Sequence, residues 1–232
     1  ASADAGAAVP VADLTAVLMR GLGAAATRPL GLAVSGGGDS MAMLHLAVRA
    51  GIAVRVATVD HGLRPGSRVE AEAVARRCAG LGVPQAILTW QGWDGRGNLQ
   101  ARARAARRAL LGDWAQREGL AAVALAHTSD DLAETLLMRL ARGAGVDGLA
   151  AMAAEWQEGG VTFLRPLLAA SRAGLRDYLA GIGADWIEDP SNAADRFDRV
   201  RARRALAALA PLGLGAPVLA EVAQHLGQAR QQ

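Results

Sequence analysis

Lysine is missing from this chain of 232 residues; all 25 basic positions are arginine. A Walker A phosphate loop is therefore excluded, because it needs Gly-Lys-Ser/Thr so that the ammonium reaches the phosphates. Cysteine is almost missing too. Cys78 stands alone, which rules out an intramolecular disulfide, a CxxC redox pair and a cysteine zinc site. It is expected to pack in a helix or lie exposed, without a catalytic role. Aromatic residues make up only 3% of a chain that is 52% hydrophobic, so alanine and the aliphatic residues must build the core. Trp90, Trp93, Trp114, Trp156 and Trp186 lack the spacing of a stacking platform and read as core or rim packing. No apolar run approaches the roughly 18 residues of a membrane span, and Ala1 to Pro10 carries no basic n-region of a signal peptide. The expectation is a cytoplasmic protein with no membrane association. A net charge of +3 does not by itself imply nucleic acid. Its distribution says more: Arg102, Arg104, Arg107 and Arg108 form one cluster, and Arg196, Arg199, Arg201, Arg203 and Arg204 another. Such clusters suit phosphate oxygens or simply a solvated helix face.

What is present begins at Leu30. The apolar run Leu30–Ser35 ends in Ser35-Gly36-Gly37-Gly38-Asp39-Ser40 and leads straight into a helical segment, Asp39–Arg49. A strand, a glycine turn and a helix N-terminus together offer backbone N–H groups and a positive dipole end to a phosphate. Ser35 and Ser40 add hydroxyl donors, and Asp39 is placed to hold a magnesium ion that neutralises the phosphates. The spacing does not fit a dinucleotide fingerprint.

Further strands are predicted at Ile52–Asp60, Gln85–Trp90 and Leu120–Ala126, with helices at Ser67–Leu81 and Leu99–Glu118 between them. This alternation implies an α/β fold, a parallel sheet covered by helices on both faces, with ligands beyond the carboxyl ends of the strands. After residue 142 the alternation weakens. Gly143–Gly148 reads as a loop, Val161–Leu168 as a further strand with Pro166 near its end, and Ser171–Leu179 as a helix. Asp189-Pro190-Ser191-Asn192 reads as a turn, and Pro211 to Pro217 as a break or linker.

Two more polar groups fall at predicted strand ends. In Val59-Asp60-His61-Gly62-Leu63-Arg64, Asp60 and His61 either contact a nucleotide or orient a substrate amine; alternatively Asp60 merely caps the turn. In His127-Thr128-Ser129-Asp130-Asp131-Leu132-Ala133-Glu134-Thr135, Ser129 or Asp130 can cap a helix. Asp131 and Glu134, three apart, share one face near its N-terminus. Carboxylates there can bind an ammonium group, hold magnesium or accept a proton from an attacking amine. On the helix opened by Asn98, Arg104 and Arg107 share a face and supply cations of the kind an adenylating enzyme needs near phosphate.

Taken together, these segments resemble the tRNA(Ile)-lysidine synthetase family, one of the PP-loop, or N-type, ATP pyrophosphatases. The loop Ser35–Ser40 is shared by the whole PP-loop class, whereas His127–Thr135 and Glu188-Asp189-Pro190-Ser191-Asn192 are far more specific. The resemblance implies an adenine nucleotide α-hydrolase-like fold, with residues 12–210 as the catalytic domain. Residues 211–232 would be a helical tail, or a linker to a C-terminal domain absent from this chain. It implies an enzyme that uses ATP and Mg2+ to adenylate O2 of the wobble cytidine in a CAU-anticodon tRNA(Ile). The ε-amine of L-lysine then attacks C2, giving lysidine, AMP and pyrophosphate. By this carry-over Ser35, Gly36, Gly37, Gly38, Asp39, Ser40 and His61 bind ATP, and Asp39 also meets the metal. Asp39, Asp131, Glu134 and Arg104 are catalytic, while Asp60, His127, Asp131, Glu134 and Arg203 contact substrate. A PP-loop tRNA thiolase usually needs paired cysteines, which this chain lacks. The reading from another class is a nucleotide-binding module, inactive without a tRNA-binding domain.

Overall fold

The computed structural model describes residues 11–63, 66–91, 93, 96–150, 152–188 and 198–229. Arg64, the turn at Asp189–Asn192 and Arg196 lie outside the described residues. Six strands form one sheet: β1 (Leu30–Ala33), β2 (Val54–Asp60), β3 (Gln85–Thr89), β4 (Val123–Leu125), β5 (Glu155–Glu158) and β6 (Val161–Leu164). Their order is β3-β2-β1-β4-β6-β5, all parallel except β5, which runs antiparallel to β6 at the edge.

The period-two alternation of strand side chains sorts residues between two layers. Leu30, Leu32, Val56, Ala122, Ala124 and Leu164 join one core. It is covered by α1 (Val11–Leu22), α2 (Gly38–Arg49), α3 (Ser67–Gly80) and α7 (Arg172–Gly181). Ala57, Leu88, Val123, Leu125 and Phe163 point the other way, onto Leu111, Trp114 and Ala115 of α4 (Leu99–Arg117). Gly31 lets that helix come close: a Cβ there would meet the Trp114 ring at 2.8 Å. Helices thus cover both faces. A third cluster joins α5 (Ser129–Leu140) to α8 (Asp198–Leu209) and α9 (Ala216–Ala229) through Ala133, Leu136, Leu206, Leu219 and Ala223. A short α6 (Val146–Leu149) lies in the predicted loop. No single described helix is long and apolar enough to cross a membrane.

The chain leaves β1 for β2 and β3 on one side, then α4 carries it back to β4 on the other. Strand order therefore reverses between β1 and β4, and the crevice beyond their carboxyl ends is where such sheets bind ligands. Helix boundaries follow local chemistry. Asn98 Oδ1 accepts from Ala101 N at 3.1 Å to start α4, and Ser171 Oγ accepts from Gly174 N at 3.1 Å to start α7. The predicted strand Val161–Leu168 ends at Leu164, ahead of Arg165-Pro166, because Pro166 has no N–H for a ladder. Strand β5 was not predicted from the sequence.

Candidate active site

A cleft of about 490 Å3 opens at this switch point. It is lined by the phosphate loop, the ends of β1, β2 and β4, and side chains from α4, α5, α7 and α8.

The loop is tied by its own serines. Ser40 Oγ donates to Gly37 O at 2.9 Å and accepts from Ser35 N at 3.2 Å, and the two hydroxyl oxygens lie 3.3 Å apart. Helix α2 begins at Gly38 with no side-chain cap at Gly37, so its first N–H groups remain available to an anion. Gly36 is required twice over. Its φ is +90°, and a Cβ would meet Ile187 Cδ1 at 2.7 Å and Val74 at 3.0 Å. Gly36→Ala is expected to cost about 1–3 kcal/mol of backbone strain and to weaken ATP binding. Urea unfolding and nucleotide titration together check both; unchanged values would contradict the packing seen here.

Behind the loop lies a charge network centred on Arg172. Its guanidinium meets Asp39 Oδ2 at 3.3 Å, Asp131 Oδ1 at 3.3 Å and Glu134 Oε1 at 3.0 Å. Its backbone N–H donates to Asp130 Oδ2 at 2.8 Å, so Asp130 caps α7 and not its own helix. From α8, Arg199 reaches Asp131 at 3.4 Å and Arg203 reaches Glu134 at 2.6 Å. Thr128, not Ser129 or Asp130, is the N-cap of α5, and Asp131 Oδ2 accepts from Thr128 N at 2.9 Å. Asp131 and Glu134 do share a face, as their spacing requires, and Arg172 bridges them.

Burial acts against the ionised Asp131, but the Thr128 amide, Arg172 and Arg199 outweigh it and hold the carboxyl below its ordinary range. A depressed native pKa contributes stability above the unfolded value of about 3.9 that is lost as pH falls through the native one. The Tm gap between the parent and Asp131→Asn is therefore expected to shrink between neutral pH and pH ~3. A gap independent of pH would refute that linkage. Asp39 shifts oppositely: burial pushes it up, and Asp131 and Asp130 add to this against Arg172. Its Oδ1 is buried without a hydrogen-bond partner.

That orphaned oxygen fits the expected magnesium. Mg2+ takes one or two carboxylates plus phosphate oxygens and keeps several waters, so a lone acid beside a phosphate loop suffices. No group of three or more His, Cys, Asp or Glu suited to a metal occurs among the described residues.

The remaining predicted residues divide. His61 and His127 line the cleft, as does Arg203. Burial, with help from Arg107, lowers His61 below its usual value, and its ring packs edge-on against Trp90 at 5.7 Å. Asp60 is not among the lining residues. Its Oδ1 accepts from Gly62 N at 3.0 Å and Ser67 Oγ at 2.7 Å, the turn-forming alternative. Glu134 is fully buried behind Arg172, and Arg104 is exposed outside the lining, whereas Arg107 enters it. Cys78 is buried, its thiol pushed up to about 11. Sequence reasoning missed Arg172 and Arg176, which enter the cleft from α7; a basic residue just after a helix cap is no signal of an active site.

A fold of this topology with a glycine–serine anion loop at its switch point defines an ATP-using α/β class. The PP-loop domain model matches residues 12–210, and the chain belongs to that family. It is 55% identical over 223 residues to a tRNA(Ile)-lysidine synthase of Ruegeria pomeroyi, covering 94% of this chain and 53% of that protein. A tRNA(Ile)-lysidine synthase of Methylobacterium nodulans is 47% identical, covering 90% and 62%. The chain thus spans little more than half the length of these curated relatives. Among solved structures, a U34-tRNA thiolase of Methanococcus maripaludis with its 4Fe–4S cluster superposes with a TM-score of 0.79 at 17% identity, covering 94% of this chain and 80% of that one. An NH3-dependent NAD synthetase of Campylobacter jejuni gives 0.53 at 16%, covering 94% and 92%. These two speak to the fold alone.

Proposed function

We propose that this chain carries the catalytic site of a lysidine-forming ligase acting on a CAU-anticodon tRNA(Ile). The observation that carries this reading is a single cleft in which the Ser35–Ser40 loop and Asp131, with Glu134 behind it, meet around Arg172. One end suits a triphosphate and the other an amine, as a two-step adenylation and amination requires. Homology to proteins named as tRNA(Ile)-lysidine synthases supports the same substrates.

In the first step O2 of the cytidine attacks the α-phosphorus of ATP, the α–β bridging bond breaks and pyrophosphate leaves. The N–H groups opening α2 and the Ser35 and Ser40 hydroxyls hold the phosphates. A magnesium ion held by Asp39 would supply countercharge to the triphosphate. Arg107 and Arg176, on opposite walls of the cleft, offer cations to the charge that develops. In the second step the lysine ε-amine attacks C2 and the C2–O2 bond breaks, so O2 departs with AMP. Asp131 faces the cleft, which Asp39 and Glu188 also line. The depressed pKa of Asp131 keeps it ionised to hold the incoming ammonium, and, as a weak base, it takes a proton from the nitrogen once that nitrogen has bonded to C2 and become acidic. Glu134 acts one layer deeper, holding Arg172 and Arg203 in place. Exposed arginines on α4 such as Arg104 suit the tRNA backbone. Such a reaction belongs in the cytoplasm.

Pyrophosphate release from ATP should depend on the tRNA and on cytidine at the wobble position, with the Ruegeria pomeroyi relative assayed in parallel. Release with a wobble uridine as good as with cytidine would refute the substrate assignment.

A further inference from the structure

The cleft holds His127, and a second layer of residues controls its ring. Arg165 Nε donates to His127 Nδ1 at 3.2 Å. Arg165 is itself held on three sides. Its guanidinium carbon lies 4.0 Å from the centroid of Trp156, its Nη1 donates to Ala153 O, and its backbone N–H donates to Ala154 O at 2.7 Å. Trp156 is in turn stacked on Phe163 at 5.1 Å, its partner across the β5–β6 pair. The antiparallel edge hairpin is therefore a platform for one guanidinium. The guanidinium is thus stacked on the indole and tied through Nη1 to Ala153 O, an arrangement that aims its Nε–H at the imidazole.

Arginine has no acceptor to offer, so the nitrogen facing it must be the unprotonated one. The neutral ring then carries its proton on Nε2. We propose that Arg165 is a positioning residue that fixes His127 as a neutral, Nε2-protonated imidazole, presenting a hydrogen-bond donor to a substrate oxygen in the cleft. Resting on the function proposed above, the acceptor is a phosphate oxygen or the cytosine O2, and His127 is a donor to it and not a base toward lysine. The surroundings agree. Burial drives His127 down to about 3, Arg165, Arg107 and Arg199 assist, and only Asp131 opposes. Burial also lowers Arg165, to about 10 with Arg104, Arg107 and Arg108 contributing, which leaves it charged at neutral pH.

The test is 15N NMR of the histidine-labelled protein, with the His127 signals assigned by their loss in His127→Gln. The expected spectrum has a protonated Nε2 and a bare Nδ1 from pH 5 to 8. In Arg165→Met both tautomers are expected and the ring's titration moves up. The kcat for lysine transfer falls about tenfold to a hundredfold, with KM for ATP within about twofold. Arg165→Lys, which keeps the charge without the fork, restores part of both. If Arg165→Met does not fold, Trp156→Leu loosens the same guanidinium and is expected to mix the tautomers. An Nδ1-protonated ring in the parent, an unchanged tautomer in the variants, or a changed tautomer with normal kcat would each overturn the proposal. The spectra need no substrate, so absent lysine transfer by the parent would count against the function and leave the tautomer reading intact.

Discussion

Replacing Arg172 by methionine is expected to destabilise the protein by about 3–5 kcal/mol, the usual consequence of removing one partner from a buried ionic network. The methionine preserves bulk and removes the charge. Asp39, Asp131 and Glu134 would lose a shared guanidinium, and Glu134 has no solvent to fall back on. Arg203 still reaches Glu134 and Arg199 still reaches Asp131, so the loss falls hardest on Asp39, whose ion pair is with Arg172. Lysine cannot substitute, since a single ammonium cannot span the three carboxylates the planar fork meets. Urea unfolding of the parent, Arg172→Met and Arg172→Lys checks this. A loss below about 1 kcal/mol, the scale of an exposed ion pair, would show that the network is not a structural unit.

Asp39→Asn should behave in the opposite sense: turnover falls by about a hundredfold to a thousandfold, while stability holds or rises. Burial and the neighbouring Asp131 and Asp130 raise the native pKa of Asp39 above its ordinary value. A raised carboxyl pKa means that ionisation at neutral pH works against the folded state, and this cost grows as pH climbs through the native pKa. Asparagine removes the cost and keeps the shape, but it cannot offer an anionic oxygen to a cation at the phosphate loop. Thermal unfolding at pH 7 with a turnover assay separates the two effects. Activity within tenfold of the parent would remove Asp39 from the chemistry. A fall in Tm of several degrees would instead make it a structural residue.

The parallel sheet was legible because its strands leave apolar runs and two of the helices begin at capping residues: Asn98 and Ser171 both bond as N-caps. The phosphate loop was legible for the same local reason. Strand β5 was not. Glu155-Trp156-Gln157-Glu158 is four residues at an edge with mostly exposed side chains, so it lacks the buried alternation that marks a strand. Arg172 was illegible because its meaning is non-local: 133 residues separate it from Asp39, and only the fold brings them together. Asp60 shows the converse. An acid at a strand end reads as functional, yet two local donors are enough to engage it in a turn. Arg104 and Arg107 illustrate the limit of helical spacing, which put both on one face; the depth of α4 against the sheet leaves Arg107 in the cleft and Arg104 outside its lining.

Radiolabelled L-lysine, ATP, magnesium and an unmodified CAU-anticodon tRNA(Ile) test the central claim most directly when incubated with this chain and, in parallel, with the Ruegeria pomeroyi relative. ATP-dependent label in the tRNA, lost in Asp39→Asn and absent with a wobble uridine, is the expected result. Label transferred by the relative but never by this chain, although ATP binds its cleft, would contradict the proposal that this chain performs the ligation and would support the alternative of a nucleotide-binding module inactive without a tRNA-binding domain.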